Sequence, residues 1–155
     1  MAQSGFRVTC LDIVEEALKL AKKTFNGHPA KFVQASILDL SGQPEHDMIW
    51  DAGVLEHFTI EEQRQALQEF LNVLKPGGRV VILTPYSRSL PYRMAKFYLE
   101  KTGRWLYGIE TPIVSLAPSM PENGRLEREY TVSFLPFFLD CYKFCLLYTS
   151  PSPRD

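Results

Sequence analysis

The chain has 155 residues, of which 45% are hydrophobic and 23% charged, and its net charge at pH 7 is −1. This balance is typical of a globular domain, and it provides no basic excess of the kind that nucleic-acid-binding proteins carry. No stretch has the length and apolarity of a membrane span, and no charged and then apolar N-terminal region predicts secretion. We therefore expect a cytoplasmic protein that neither spans a membrane nor binds nucleic acid.

The first half of the chain alternates strand-like and helix-like segments. An amphipathic helix is predicted at residues 14–25, and another follows the capping-box sequence that begins at Thr59. Four short runs rich in β-branched and apolar residues are predicted to be buried strands: residues 7–11, 31–35, 47–50 and 79–83. Single helices between apolar strands are typical of βαβ units around a parallel sheet, so the predicted fold class is α/β.

Glycine and proline positions predict the end of the second helix and the start of a third. The sequence LKPGG at residues 74–78 is predicted to end the second helix, with a glycine at a left-handed cap. A third helix is predicted at residues 91–102 because Pro91 suits its first turn. Residues 105–121 read as a loop.

The C-terminal sequence CLLYTSPSPRD, residues 145–155, looks like the translation of a transposase sequencing adapter. We therefore expect these residues to be an artefact outside the fold, as a fusion scar would be, and the chain to be a fragment of a longer protein. A natural disordered tail is the alternative.

Asp12 follows the first predicted strand directly. A carboxylate at the carboxyl end of a parallel strand lies where open α/β sheets bind ligands, and it can accept hydrogen bonds from both hydroxyls of a ribose. The same residue type also suits the N-cap of the helix that follows, so the residue alone leaves both roles open. The glycine-rich loop that usually precedes such an acid by about 20 residues has no counterpart in this sequence.

Three motifs together carry a family resemblance. They are LDI at residues 11–13, DAGVLEHF at residues 51–58 and LKPGGRVVI at residues 74–82. With the order of elements between them, they resemble class I S-adenosylmethionine-dependent methyltransferases that act on small molecules. The resemblance is close over residues 2–84 and loose over residues 85–144. It implies an incomplete Rossmann-like methyltransferase fold, whose parallel sheet lacks its first central strand and its final antiparallel strands.

The resemblance also divides the chain. Residues 1–84 would be a partial S-adenosylmethionine-binding core, and residues 85–125 a lid or insertion on the acceptor side. Residues 126–144 would start the C-terminal part of the domain, and residues 145–155 would be the adapter-derived tail. The strand that separates residues 7–11 from residues 47–50 in the family would be missing, so we expect these two strands to come together or to leave a groove.

Seven residues match positions that bind the cofactor S-adenosylmethionine in the family: Asp12, Ile13, Ser36, Ile37, Asp51, Ala52 and Leu55. Asp12 would bind the ribose hydroxyls and Ile13 would pack on the adenine. Ser36 and Ile37 would flank the adenine edge, where Ser36 departs from the family's frequent aspartate and would make a weaker, neutral contact. The three residues of the DAGVLEHF motif would line the methionine end of the cofactor and the turn that follows it.

The motif also contains His57, which is the candidate catalytic base because an imidazole with a pKa of about 6.5 can take a proton from an acceptor near neutrality. The alternative is a structural role, since this histidine often ties the loop after the strand in the resembling family. Glu56 is expected to contribute to helix-start electrostatics rather than to chemistry. Candidates for an acceptor pocket follow the fourth strand: Tyr86, Tyr92, Arg93, Trp105, Tyr107 and Glu110.

The predicted function is methyl transfer from S-adenosylmethionine to a small-molecule acceptor by the full-length parent, with the fragment itself inactive. One alternative is a fragment of a nicotinamide-dependent oxidoreductase, because an acid after a strand serves both cofactors. The other is a catalytically silent methyltransferase-like binding domain. The acceptor and the oligomeric state are not predicted.

Overall fold

The computed structural model describes residues 5–111, 113–132 and 142–149. The chain divides into two compact units, residues 1–41 and residues 42–155, which are described separately as the first and the second unit. In the described part of the chain no helix is long and apolar enough to cross a membrane.

The first unit is one strand–helix–strand element. Its parts are β1 (Val8–Asp12), α1 (Glu15–Phe25) and β2 (Ala30–Gln34), and the two strands pair in parallel with Asp12 opposite Gln34. Acidic residues in the first turn of α1 and lysines in its last turn complement the helix dipole. The helix ends at Asn26, whose left-handed conformation is the C-cap that the sequence Asn-Gly predicts.

The second unit contains a four-stranded sheet. Its strands are β3 (His46–Ala52), β4 (Leu74–Pro85), β5 (Gly124–Val132) and β6 (Tyr142–Thr149), in the order β3-β4-β6-β5. The β3–β4 pair is parallel, whereas β6 runs antiparallel to both of its neighbours. The predicted α/β class and the parallel pairings are therefore confirmed.

The prediction that the final antiparallel strands are absent is wrong. Residues 142–148 form a continuous antiparallel ladder with residues 79–85 of β4, and Cys145 and Leu147 are only 0% and 1% exposed. Residues 145–149 thus belong to the sheet, because a run of apolar, aromatic and β-branched residues pairs well with the edge of β4 whatever its origin. The adapter origin of residues 145–155 stays a prediction, and residues 150–155 lie outside the described residues.

The parallel strands are divided between the two units. In the described ranges β1 pairs with β2 and β3 pairs with β4, and no ladder links one pair to the other. Two separate sheets agree with the break that the family's strand order predicts between these strands. Whether β1 and β3 come together or leave a groove stays a prediction.

Helix α2 (Ile60–Val73) positions the turn that follows β3. The Thr59 hydroxyl accepts a hydrogen bond from the Glu62 N–H, and the Glu62 carboxylate accepts one from the Thr59 N–H, which confirms the predicted capping box. The Gln63 side chain, which is 3% exposed, donates to the Leu55 and Phe58 carbonyls. The start of α2 is therefore tied to the 3-10 turn Leu55–His57.

The predicted glycine cap at the end of α2 is wrong. The helix passes directly into β4 at Leu74, which has an extended conformation. The two glycines lie inside β4, opposite a register shift between His46 and Met48. A Cβ atom at Gly78 would lie 2.9 Å from both the Leu74 side chain and the Lys75 carbonyl oxygen. The glycines therefore permit a close backbone approach within an irregular ladder.

The remaining helix, α3 (Leu90–Lys101), agrees with the prediction from Pro91. Its N-cap is Ser89, whose hydroxyl accepts a hydrogen bond from the Tyr92 N–H. The segment after it contains only one short 3-10 turn among its described residues, Ala117–Ser119.

If β6 is part of the folded sheet, Leu147→Ala should lower the free energy of unfolding of the second unit by about 2–5 kcal/mol, since it truncates a buried side chain. The matched control is Leu106→Ala, because Leu106 is 87% exposed and its truncation should change stability by less than about 0.5 kcal/mol. Urea unfolding monitored by tryptophan fluorescence reports this unit, which contains both tryptophans of the chain. Equal effects of the two substitutions would place residue 147 outside the fold.

Candidate functional site

In the first unit, the carboxyl ends of β1 and β2 bring four of the predicted cofactor residues to one edge. The Ala35 N–H donates to the Asp12 carbonyl oxygen at 3.2 Å, which joins the ends of the two strands. The Asp12 carboxylate accepts a hydrogen bond of 2.8 Å from the Val14 N–H. Val14 is the N-cap of α1 and no side chain caps that helix, so Asp12 holds the turn before the helix rather than serving as its N-cap.

The neighbours of Asp12 at this edge differ in exposure. Ile13 is 66% exposed, and its carbonyl accepts from the Gln34 amide at 3.1 Å. Ser36 and Ile37 are half-buried. The Ser36 hydroxyl accepts from the Leu38 N–H at 3.2 Å, so it stabilises its own turn. An acid, an exposed aliphatic side chain and a hydroxyl therefore share the edge.

In the second unit, the corresponding edge is formed by the carboxyl ends of β3 and β4. Asp51 lies opposite Ile82 in the ladder and is 6% exposed. Ala52 is exposed, and the next residue, Gly53, has a positive φ of 76° and donates its N–H to the Leu83 carbonyl at 2.9 Å. This bond fixes the path of the chain out of β3, and the residue needs to be glycine for that conformation.

The turn after Gly53 buries an acid. Leu55 is 0% exposed and anchors the turn in the core, and Glu56 is 5% exposed. The Glu56 Oε1 atom lies 3.6 Å from the position that a Cβ atom on Gly53 would occupy. The Glu56 carbonyl oxygen accepts a hydrogen bond from the Thr111 N–H, which ties the turn to the segment after α3.

Four buried side-chain oxygens at this edge have no protein partner: Asp51 Oδ2, Glu56 Oε2, Thr84 Oγ1 and Ser87 Oγ. They are all of the buried, unpartnered side-chain polar atoms in the part of the chain that the structure describes. Buried polar groups are nearly always paired in proteins, so a cluster of exceptions marks a place where a ligand or water supplies the missing bonds. All four follow or end the parallel strands, where α/β folds bind their ligands.

The two acids of the cluster titrate abnormally. Burial, with a contribution from the nearby Glu56 charge, raises the pKa of Asp51 to about 7. Burial also raises the pKa of Glu56, and Glu110 adds to the rise, while the backbone N–H of Glu56 and the neighbouring His57 oppose it. The surroundings of both carboxyls therefore disfavour their ionised forms.

A cavity of about 220 Å³ adjoins this edge within the second unit. Its walls come from the 3-10 turn, the segment after β4, helix α3, and Glu110, Thr111 and Ile113. Apolar side chains such as Phe97 and Ile113 line part of it. The polar part of the wall consists of Glu56, Ser87, Tyr92, Arg93, Lys96, Glu100, Glu110 and Thr111.

Three of the six predicted acceptor residues line this cavity, namely Tyr92, Arg93 and Glu110. The Glu110 carboxylate accepts hydrogen bonds from the Tyr92 hydroxyl and, at 2.8 Å, from Lys96. Trp105 is not among the lining residues but supports them, since Lys96 lies 5.0 Å from its ring centroid and Tyr92 packs against its edge.

The other two candidates, Tyr86 and Tyr107, are also absent from the lining residues. Tyr86 forms a backbone bridge to Ile113, and Tyr107 is 66% exposed and makes an edge-to-face contact with Trp105.

His57 is exposed, and its Nδ1 atom lies 3.1 Å from the Ile109 carbonyl oxygen. Because a carbonyl only accepts, Nδ1 must carry the proton in this bond. His57 is not among the residues that line the cavity. The geometry therefore matches the loop-tying alternative, and the catalytic assignment stays a prediction. The buried acid beside it, Glu56, lies on the cavity wall and was assigned no chemistry from the sequence.

The chain was next compared with known proteins. The family described as "Methyltransferase domain" matches residues 1–82. The chain belongs to this methyltransferase family. The class I S-adenosylmethionine-dependent methyltransferase resemblance is thereby confirmed, and the nicotinamide oxidoreductase alternative receives no support.

Individual relatives agree. Demethylmenaquinone methyltransferase from Clavibacter sepedonicus is 36% identical over 85 residues, which are 53% of this chain and 34% of the relative. The match therefore spans about a third of that relative. A protein that converts a disulfide bond into a thioacetal group in echinomycin biosynthesis superposes with a TM-score of 0.75 at 22% identity, over 99% of this chain and 70% of its own.

A third relative contains a cofactor product. The N-methyltransferase NodS from Bradyrhizobium japonicum, in complex with S-adenosyl-L-homocysteine, has a TM-score of 0.65 at 16% identity, over 96% of this chain and 67% of its own. At these identities the superpositions show the methyltransferase fold. Together with the family, such complexes support S-adenosylmethionine as the cofactor, as the resemblance implied.

The raised pKa of Asp51 predicts how the stability of this methyltransferase chain depends on pH. The folded chain binds the Asp51 proton more tightly than the unfolded chain, where the pKa is near the ordinary 3.8. Its contribution to stability is therefore present below about pH 4 and is lost as the pH rises towards 7. Asp51→Asn should remove that loss and be more stable than the wild type at pH 8, by an amount on the order of 1–4 kcal/mol.

Urea unfolding at pH 4, 6 and 8, followed by tryptophan fluorescence, measures this difference. The control is Glu122→Gln, because Glu122 is exposed in the same unit. Parallel pH profiles for the wild type and Asp51→Asn would contradict the assignment.

Proposed function

We propose that the parent protein of this chain transfers a methyl group from S-adenosylmethionine to a small-molecule acceptor. The observation that carries this proposal is the cluster of four unpartnered buried oxygens beside a cavity, at the carboxyl edge of β3 and β4 in a chain of the methyltransferase family. A site that only stabilised the fold would have its polar atoms paired internally.

In the first unit the chemistry of the edge suits a nucleoside. A carboxylate offers about four lone-pair positions, so Asp12 can keep its bond to the Val14 N–H and still accept from ribose hydroxyls. The exposed Ile13 side chain provides the apolar surface on which an adenine ring would pack. Ser36 and Ile37 would contact the adenine edge, and the Ser36 hydroxyl can still donate a hydrogen bond because it only accepts one from Leu38.

In the second unit the residues suit the amino-acid end of the cofactor. The unpartnered Asp51 Oδ2 can accept from the methionine ammonium, which would lower the pKa of Asp51 back towards its ordinary range. Ala52 is exposed beside it and leaves room for the ligand, and the fully buried Leu55 holds the turn in place. S-adenosylmethionine, when bound, supplies the electrophilic methyl group on its sulfonium.

The contribution of the protein to the reaction is positioning. Methyl transfer from a sulfonium needs the acceptor atom aligned with the methyl carbon and water kept away, and little other chemistry. The cavity behind Glu56 is the candidate acceptor site, because α3 and residues 110–113 enclose it next to the unpartnered oxygens.

We propose further that the isolated chain does not catalyse the reaction. Its sequence has no counterpart of the glycine-rich loop that receives the methionine moiety in this family. Its parallel strands are divided between two sheets. Micromolar binding of S-adenosylmethionine by the isolated chain in isothermal calorimetry would contradict this part of the proposal.

The function is tested in the parent protein by S-adenosyl-L-homocysteine binding. Asp12→Asn keeps the shape of the side chain but removes its charge, and it should weaken binding by about 10-fold or more, since hydrogen bonds to charged groups contribute about 1.5–3 kcal/mol. Glu16→Gln, an exposed residue of α1, is the control and should leave the affinity unchanged. Calorimetry gives both affinities, and a parent that binds no S-adenosyl-L-homocysteine would favour the silent binding domain.

A further inference from the structure

The cavity of the second unit has a buried acid, Glu56, in its wall, and no salt bridge among the described residues reaches this acid. We propose that this cavity binds the acceptor as a protonated amine, whose N–H groups bond Glu56 Oε2 and Ser87 Oγ, and that Glu56 takes the amine proton before methyl transfer. The proposal rests on the proposed methyl transfer and names the class of acceptor for the same site.

The first support is the position of Glu56. Its side chain lines the cavity although the residue is only 5% exposed, and Oε2 has no hydrogen-bond partner. Burying a carboxylate without a partner is energetically unfavourable. A ligand that is both a hydrogen-bond donor and a cation would therefore stabilise the Glu56 carboxylate most.

The second support is the use of the cavity's own cations. Lys96 lies 2.8 Å from Glu110 and 4.0 Å from Glu100, and it also sits over the Trp105 ring. Arg93 lines the cavity from α3 with an exposed side chain. The wall lysine, Lys96, is therefore paired with Glu100 and Glu110. In the described residues no salt bridge reaches Glu56.

The third support is a second hydrogen-bond acceptor without a partner on the same cavity wall. The Ser87 Oγ atom lines the cavity, is buried and has no partner. An ammonium group carries several N–H donors, whereas a neutral hydroxyl carries one, so two unpartnered oxygens match an amine better than an alcohol. The apolar lining, which includes Phe97 and Ile113, suits the carbon body of such a ligand.

The proton transfer completes the chemistry. An ammonium cannot attack a methyl group because its lone pair is held in an N–H bond. Glu56 takes that proton and becomes a neutral carboxylic acid, and the free lone pair forms the new N–C bond to the sulfonium methyl carbon. The C–S bond breaks and its electron pair stays on sulfur as a thioether, and the product leaves as a methylated ammonium.

The charge state of Glu56 makes binding depend on pH. The charged or titratable groups that face it are Asp51 from β3, His57 from its own turn, Glu110 from the segment after α3, and Tyr92, Arg93, Lys96 and Glu100 from α3. Burial raises the pKa of Glu56 in the free chain, and a bound ammonium favours its ionised form. Amine affinity should therefore increase with pH up to the range in which the amine itself deprotonates.

The test uses three small ligands of the same shape, benzylammonium, benzyl alcohol and benzoate, on the intact chain without S-adenosylmethionine. At pH 7.5, NMR titration should show benzylammonium binding at least about 10-fold more tightly than the other two. Glu56→Gln should remove this preference and leave benzyl alcohol binding unchanged, and the exposed control Glu122→Gln should behave as the wild type. Glutamine has the shape of glutamate without its charge, so the variant is expected to fold, which a thermal melt verifies.

A second variant guards against a folding defect. Ser87→Ala leaves the charge of the cavity unchanged and should weaken benzylammonium by about 3- to 10-fold through the lost hydrogen bond. Preference for benzoate, equal binding of amine and alcohol, or an unchanged affinity in Glu56→Gln would each overturn the proposal. Because no cofactor is present in these titrations, their failure is distinguishable from a failure of the parent to bind S-adenosyl-L-homocysteine.

Discussion

The parallel pairing of β3 with β4, closed by the hydrogen bond from Gly53 to Leu83, is the constraint on which the second unit's site depends. It ends both strands at one edge and turns the chain sharply after Ala52. The turn then places Leu55 in the core and the next side chain, Glu56, in the buried space beside Gly53. The left-handed backbone at residue 53 favours glycine, and the Glu56 carboxylate lies at ordinary contact distance from where a Cβ atom would be. The chemistry of the edge thus follows from backbone geometry.

Local features of the fold could be predicted because local residues determine them. The capping box at Thr59, the left-handed Asn26 and the start of α3 near Pro91 depend on neighbours a few positions away. The failures involve distant partners. The sequence LKPGG resembles the end of a helix, but its glycines lie inside β4, opposite a register shift in β3. The C-terminal part of β6, residues 145–149, is predicted to lie outside the fold because its sequence resembles an adapter, but a sequence of any origin pairs with an open strand edge if its pattern and β-propensity allow it.

The candidate site shows the same division between local and distant causes. The motif residues Asp12 and Asp51 could be placed at strand ends from the alternation of elements alone, and the structure puts both there. The positions of His57 outside the cavity lining and of Glu56 within it could not be predicted from the motif, because they depend on the rotation of one short 3-10 turn. That turn directs the imidazole to the Ile109 carbonyl and the carboxylate into the cavity. The ordinary pKa of histidine makes it a candidate base in any sequence, whereas a glutamate becomes one when burial raises its pKa, which the sequence does not show.

The presence of two raised carboxyl pKa values at one edge has an electrostatic consequence for the proposed reaction. S-adenosylmethionine carries a sulfonium and an ammonium, and a protonated amine acceptor would add a further positive charge to the same unit. Bringing cations together is unfavourable unless anions lie close by, and the ammonium and the acceptor would each find one in Asp51 and Glu56. In the free chain the charge of one acid opposes the ionisation of the other. A cationic ligand that contacts either acid therefore makes that acid easier to ionise. A cation bound at Asp51 would offset the Asp51 charge that Glu56 faces, and would therefore make Glu56 easier to ionise for the amine. Cofactor and acceptor are then coupled through two side chains five residues apart in the chain.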